Sequence, residues 1–190
     1  MKKTFIKLLK GAAFILLLPF FIWSKLPFSE YSSFTAPSQI LSLIPGLSGI
    51  LLRRVWYENT LKSCGRKLTV DWLAAIRTRD SEIGNNCTLG VANWVGWILM
   101  GDDVIMGSRV VLSSGGRQHS FSDLRVPIRL QQGAKRQLKI GSNIWIGAHS
   151  VILADISSGT VVGAGSIVTK TYSENAVIAG NPARILYMRS

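Results

Sequence analysis

The sequence predicts a mainly β chain wound as a parallel β-helix, preceded by a helical segment of different composition. Three observations predict it: a six-residue frame that recurs from Ile83 to Ile167, one long interruption of that frame, and an apolar, lysine-flanked N-terminus.

The N-terminus comes first. Residues 1–10 carry Lys2, Lys3, Lys7 and Lys10, and residues 11–23 (GAAFILLLPFFIW) are uncharged and almost wholly apolar. A helix needs roughly 20 apolar residues to cross a bilayer, more than this run supplies. A signal peptide also has a basic start and an apolar centre, but SKLPFSEYSSF offers no small-x-small cleavage site. A spanning helix would have to recruit Ile6, Leu8 and Leu9 despite the lysines between them. The favoured reading is a surface or re-entrant helix bent at Pro19, its lysines snorkelling to anionic headgroups. A second apolar stretch, Ile40 to Leu52, is broken by Pro45-Gly46, which predicts two short helices joined by a turn. The run Arg54 to Ser63 reads as helical, with Gly65 as its cap. Trp56 and Tyr57 suit either the lipid interface or packing on the end of the β-helix. Residues 1–65 are thus expected to cap the solenoid and hold it against a membrane.

The repeats follow. Ile83-Gly-Asn-Asn-Cys-Thr, Leu89-Gly-Val-Ala-Asn-Trp, Met100-Gly-Asp-Asp-Val-Ile and Met106-Gly-Ser-Arg-Val-Val share one frame. Ile140-Gly-Ser-Asn-Ile-Trp, Ile146-Gly-Ala-His-Ser-Val and Val162-Gly-Ala-Gly-Ser-Ile continue it. A hexapeptide period marks a parallel β-helix in which an aliphatic residue points inward and Gly or Asn takes the corner. No such unit buries its apolar face alone, so coils must stack. An antiparallel β domain with many glycine turns would not hold a fixed frame. These repeats place a second domain at 66–190. One corner is cut short, because Ile156 follows Ile152 by four positions where six are expected.

Within that domain, residues 113–139 are polar, basic and free of the repeat. A long irregular loop in a regular solenoid is usually functional. This one contains His119, one of two histidines in the chain. Alone, a loop histidine is more often a solvated surface residue.

Composition narrows the partners. Lys and Arg total 22 against 10 acids, and 12 of the bases precede Asp80. Such an excess suits nucleic acid, anionic lipid or a phosphorylated ligand. No zinc-ligand spacing or RNA-recognition signature supports nucleic acid, and the position beside the apolar N-terminus favours lipid. Cys64 and Cys87 lack CxxC spacing, so neither a disulfide framework nor structural zinc is expected.

The strings IGSNIWIG, GAGSIVTK and NPAR, in that order over residues 140–184, resemble hexapeptide-repeat acyltransferases. They are most similar to the branch with maltose, nodulation and colanic-acid O-acetyltransferases. The loop segment Gly116-Arg-Gln-His119-Ser-Phe-Ser-Asp123 resembles the colanic-acid type. The resemblance covers about residues 83–187. It implies a left-handed β-helix, a homotrimer, and active sites between subunits where acetyl-CoA lies along the coil edges, with no metal. The activity implied is O-acetylation of a sugar in cell-surface polysaccharide, on an acceptor that the apolar N-terminus suggests is lipid-linked. The alternative is N-acetylation of an amino sugar or a drug. With that N-terminus, the expected location is the cytoplasmic face of a bacterial inner membrane, the alternative being the cytoplasm.

Carried over by residue, His119 is the implied catalytic base, since a neutral imidazole can take the hydroxyl proton as the ester forms. Gly147, Ala148, Ala164 and Gly165 are the implied coenzyme edge, where small residues let the pantetheine arm reach the backbone. Lys170 and Arg184 are implied phosphate partners. Asn93 is a candidate for the acceptor, Asp123 for orienting His119 or positioning the acceptor, and Trp145 for packing, which is favoured, or for lining the acceptor cleft. His149 sits at a coil corner and reads as a surface or coenzyme-edge contact. A metalloenzyme on the same solenoid would want three histidine ligands, and the chain has two in all.

Overall fold

The computed structural model describes residues 2–190, the side chains of Lys2, Lys3 and Phe5 excepted, so the roles expected of Lys2 and Lys3 lie outside what it describes. Four helices lead: α1 (Lys2–Leu16), α2 (Leu18–Lys25), α3 (Ala36–Ser42, entered through a π turn at Tyr31–Thr35) and α4 (Gly46–Thr60). Pro19 lies in the first turn of α2, where its missing N–H costs nothing, and the two apolar helices meet there at 53°. The break at Pro45-Gly46 separates α3 from α4, as its turn residues predict. Helix α4 starts well before Arg54 and ends at Thr60. Gly65 does not cap it but makes the first corner of the solenoid.

Three short parallel strands make each coil. The first coil is β1 (Ser63–Cys64), β2 (Thr69–Val70) and β3 (Ala75–Ile76), so the solenoid begins before residue 66. The second is β4 (Glu82–Ile83), β5 (Thr88–Leu89) and β6 (Trp94–Val95). The third is β7 (Ile98–Met100), β8 (Val104–Met106) and β9 (Val111–Leu112). After the loop come β10 (Leu138–Ile140), β11 (Ile144–Ile146), β12 (Val151–Ile152), β13 (Val161–Val162) and β14 (Ile167–Val168). An antiparallel hairpin, β15 (Ala176–Gly180) and β16 (Ala183–Met188), closes the far end. Strands of like position stack into three parallel sheets, β1-β4-β7-β10, β2-β5-β8-β11-β13-β15 and β3-β6-β9-β12-β14. We call these the first, second and third faces.

The frame explains the corners. Its first residue is buried, as at Ile83, Leu89, Met100, Met106, Ile140, Ile146 and Val162. Its fourth residue takes a left-handed conformation each time: Asn86, Ala92, Asp103, Arg109, Asn143, His149 and Gly165 all have positive φ. Its fifth points back inside: Cys87, Asn93, Val104, Val110, Ile144, Ser150 and Ser166 are buried. Stacked glycines at the second position let adjacent corners touch. A Cβ on Gly84 would meet the Gly101 carbonyl at 2.6 Å, and one on Gly147 would meet the Ala164 nitrogen at 2.4 Å.

The helical segment closes the near end of the core. Trp56 and Tyr57 are fully buried and belong to this packing, not to an interface with lipid. Trp56 stacks on Phe21 and Phe34 and donates to Ser38 Oγ, while the Tyr57 hydroxyl accepts the Ile76 N–H at 3.0 Å. Arg53 is also buried. Its guanidinium donates to the carbonyls of Val70, Leu41 and Ile44 at 2.7–2.9 Å, tying α3, α4 and the first coil together. Burial lowers its pKa.

Candidate active site

The passage from the third face to the first is where the chain departs from its period. The other two passages advance by six residues each time, as from Ile140 to Ile146 to Ile152. The third-to-first passage takes seven residues from Ile76 to Ile83, five from Val95 to Met100, and four from Ile152 to Ile156. Between Leu112 and Leu138 it expands into the loop, which ends at Gln137, before residue 139. His119 therefore hangs from an edge already irregular in every coil.

Two antiparallel runs form the loop's stem. Ala134 N–H donates to Arg117 O at 2.8 Å, and His119 bridges Gln132. The close approach depends on Gly133, where a Cβ would fall 2.2 Å from the Gln118 carbonyl and 2.4 Å from the His119 nitrogen. Gln118 is fixed in turn, donating to Ser113 Oγ at 2.6 Å. The exposed imidazole lies in a cavity of about 370 Å³ lined by Arg117, Phe121, Gln132 and Gly133. At the tip, Gln131 donates to the carbonyls of Asp123 and Val126 at 2.7 Å.

On the corner between the second and third faces, Gly147-Ala148 and Ala164-Gly165 stack directly, and Gly165 N–H donates to Ala148 O at 2.8 Å. The column continues to Ala179 of β15, which approaches the position of a Gly163 Cβ to 2.8 Å. Arg184, the pairing partner of Ala179, donates to Ala183 O at 2.8 Å. The same carbonyl accepts the Tyr172 hydroxyl, and the Lys170 ammonium lies 5.5 Å from the Tyr172 ring centre. Arg184 thus stands beyond the end of a column of small residues, whereas Lys170 leaves the third face at its other edge and comes near Arg184 only through the Tyr172 ring. His119 is not part of this group. It belongs to the opposite edge of the third face, and its cavity shares no residue with the column.

No model of a known protein family matches the chain. It is 36% identical over 94 residues to the galactoside O-acetyltransferase of Escherichia coli K12, covering 47% of this chain and 43% of that one. To a putative lipopolysaccharide biosynthesis O-acetyl transferase of the same strain it is 32% identical over 96 residues, covering 47% and 49%. The chain therefore spans less than half the length of these curated relatives. Among solved structures it resembles a maltose O-acetyltransferase from Clostridium difficile 630, with TM-score 0.66, 22% identity, and 82% and 84% of the chains covered. A hexapeptide-repeat-containing acetyltransferase from Vibrio cholerae superimposes at TM-score 0.63 with 20% identity, over 85% and 94%. This is the hexapeptide-repeat acetyltransferase fold. A further protein that shares it, an N-acyltransferase from Bacillus cereus, was crystallised with dTDP and 3-hydroxybutyryl-CoA (TM-score 0.55, 20% identity, 69% and 85% covered).

On that fold, three acceptor candidates change. Asn93 is fully buried and its Oδ1 accepts the Val110 N–H at 2.8 Å, so it serves the corner and cannot meet a sugar. Asp123 pairs with Arg125, which reaches it through its backbone N–H at 2.9 Å and Nε at 3.4 Å; it does not orient His119. Trp145 lies on the outer face of the second sheet between Ile105 and Val161 and is 57% exposed, so it is not packed within its own chain.

A polar cleft of about 380 Å³ lies where the sequence offered no candidate. Its walls are Glu30 and Tyr31 from the helical segment and Gln118 and Lys135 from the base of the loop. Asp80 and Trp97, on the irregular corner, line the space between. The Trp97 indole donates to Asp80 O at 3.3 Å, and Glu30 accepts the Arg79 N–H at 2.9 Å. Carboxylates beside aromatic rings can hold a polyhydroxylated ring by its edges and its face.

Proposed function

We propose that the chain is an acetyl-CoA-dependent O-acetyltransferase. Its substrate is a sugar hydroxyl of cell-surface polysaccharide or a lipid-linked precursor, and it works as a homotrimer. The observation that carries this reading is the separation of two complementary half-sites. A loop histidine stands on one edge of the third face, and a small-residue column ending in Arg184 on the other. A second copy would bring the loop of one protomer against the groove of the next. Closed symmetric assembly is the common way to complete such a site. The galactoside and lipopolysaccharide relatives support a carbohydrate hydroxyl as acceptor, and the coenzyme-bound N-acyltransferase supports a CoA thioester as donor.

The chemistry follows. The acceptor extends from the cleft of Trp97, Asp80 and Glu30 past the loop stem to the separate cavity of His119, beside which its reactive hydroxyl lies. The neutral imidazole takes the hydroxyl proton as the oxygen attacks the thioester carbonyl. Negative charge moves to the thioester oxygen, where a backbone N–H of the neighbouring groove stabilises it. Collapse breaks the carbon–sulfur bond, and the imidazolium returns the proton to the departing thiolate. The products are a sugar acetate and free coenzyme A.

Acetyl-CoA turnover against a panel of sugars and amino sugars tests this reading. His119→Ala is expected to lower kcat about 10²–10⁴-fold with acetyl-CoA affinity retained. Asp80→Asn and Trp97→Ala are expected to raise KM for the acceptor alone. Near-wild-type turnover by His119→Ala contradicts the assignment, and a product amide that resists hydroxylamine replaces O-transfer by N-transfer.

A further inference from the structure

The outward faces of α1 and α2 are apolar where a water-facing helix carries charge. The inward row is Lys10 and Ala13 on α1 with Leu17 at the break that follows it, packed against α4. On the opposite side stand Leu8, Ala12 and Ile15, four and then three residues apart, so a continuous stripe faces away from the protein. Helix α2 repeats the arrangement with Leu18 and Ile22, while its Phe21 stacks on Trp56. Leu8, Ile15, Leu16 and Ile22 are 66–70% exposed. Exposed lysines, Lys7 and Lys25, stand beside these stripes.

We propose that α1 and α2 form an in-plane docking surface for an anionic lipid bilayer. The isoleucine and leucine stripes enter the boundary between headgroups and acyl chains, and Lys7 and Lys25 meet lipid phosphates. The structure argues against insertion across the bilayer. Lys10 Nζ lies 2.7 Å from both carboxylate oxygens of Glu58 on α4, and Ala13, Leu17 and Phe21 pack into the cap. These contacts hold both helices flat on α4. No single helix among the described residues is long and apolar enough to cross a membrane; the bent pair Ile6–Leu16 with Leu18–Lys25 is, by length and composition, so the contacts with α4 carry the in-plane reading. Charge selects lipid over a second copy: pairing two such faces would set their lysines against each other in a chain of net charge +12, whereas an anionic surface neutralises them.

The inference is independent of the acyl-transfer reading, and its test is flotation of the full chain with vesicles. Wild-type protein is expected to float with phosphatidylcholine vesicles containing phosphatidylglycerol, and less with phosphatidylcholine alone. Leu8→Ser, Ile15→Ser and Ile22→Ser together should lower the vesicle-bound fraction tenfold or more with the thermal transition unchanged. Lys7→Gln with Lys25→Gln should remove the preference for phosphatidylglycerol. Cysteines added at Thr4→Cys and at Leu26→Cys should each react with an impermeant maleimide added outside the vesicles, above the labelling of the wild-type chain with its own Cys64 and Cys87. Protection of either would overturn the in-plane orientation. Failure of wild-type protein to float, or a triple variant that floats as well as wild type, would overturn the docking surface itself. So would a fall in oligomer mass on introducing the triple variant in the absence of lipid, which would assign the stripe to another copy of the chain.

Discussion

Gly133 places His119. The two runs of the loop stem approach so closely that a single methyl group at Gly133 would sit 2.2 Å from the Gln118 backbone, forcing the runs apart. Gly133→Ala should therefore shift the imidazole without removing it. The expected result is a fall in kcat of about tenfold or more, because a displacement near 1 Å at a reacting group is enough for that. KM for acetyl-CoA and the thermal transition of the solenoid should hardly move, as the loop lies outside the stacked coils. Parallel loss of kcat and of solenoid stability would show that Gly133 serves the fold instead. The sequence made His119 visible because it sits in the one long gap of the repeat, but Gly133 resembles any loop glycine until its neighbour across the stem is known. Asn93 is the opposite case. It occupies the fifth place of its frame, as Cys87, Ser150 and Ser166 do, and every one of these is buried. The frame itself carried that information, and a positional reading of the repeat would have put Asn93 inside. Cys64 is half-buried, and burial pushes its thiol pKa up to about 12, so it stays protonated and unreactive near neutral pH.

At the scale of elements, the cap depends on a buried cation that sequence patterning disguises. Arg53-Arg54 reads as a solvated basic pair after an apolar run, yet Arg53 turns inward to the carbonyls of Leu41, at the end of α3, and of Ile44, just beyond it, supplementing a single long Ile44 N–H bond of 3.4 Å to the Leu41 carbonyl. The close turn above it is possible because residue 49 is glycine; a Cβ there would meet the Ile44 carbonyl at 1.8 Å. Arg53→Met should leave the carbonyls of Leu41, Ile44 and Val70 without their donor. The expected loss is about 3 kcal/mol of local stability, read by hydrogen exchange as earlier opening of α3 and α4 than of the coils. Uniform opening of cap and coils would mean that the two unfold as one unit and that Arg53 is not their joint. The breaks at Pro19 and Pro45-Gly46 were legible because proline and glycine act through the local backbone. The end of α4 was not, because Gly65 obeys the coil's geometry and not the helix's.

Across the whole molecule, periodicity and its failures divide the work. Two of the three corners keep the six-residue advance and supply the stacked, small-residue groove; the third varies from coil to coil and supplies the loop and the cleft. The repeat gave away the solenoid and the groove. It could not reveal the cleft, whose walls come from residues as distant in sequence as Glu30, Trp97 and Lys135. Nor does one chain bring His119 to Gly147 and Ala164, so the proposed site takes two copies. The direct measurement is complementation between two inactive chains. His119→Ala lacks the base, and Ala164→Trp blocks the exposed groove. Each alone should turn over about 10²-fold or more below wild type, while trimers co-assembled from both should recover about a quarter of wild-type turnover, since random mixing pairs an intact loop with an intact small-residue column at that frequency. If the mixed assemblies stay as inactive as the separate variants, the site does not lie between protomers.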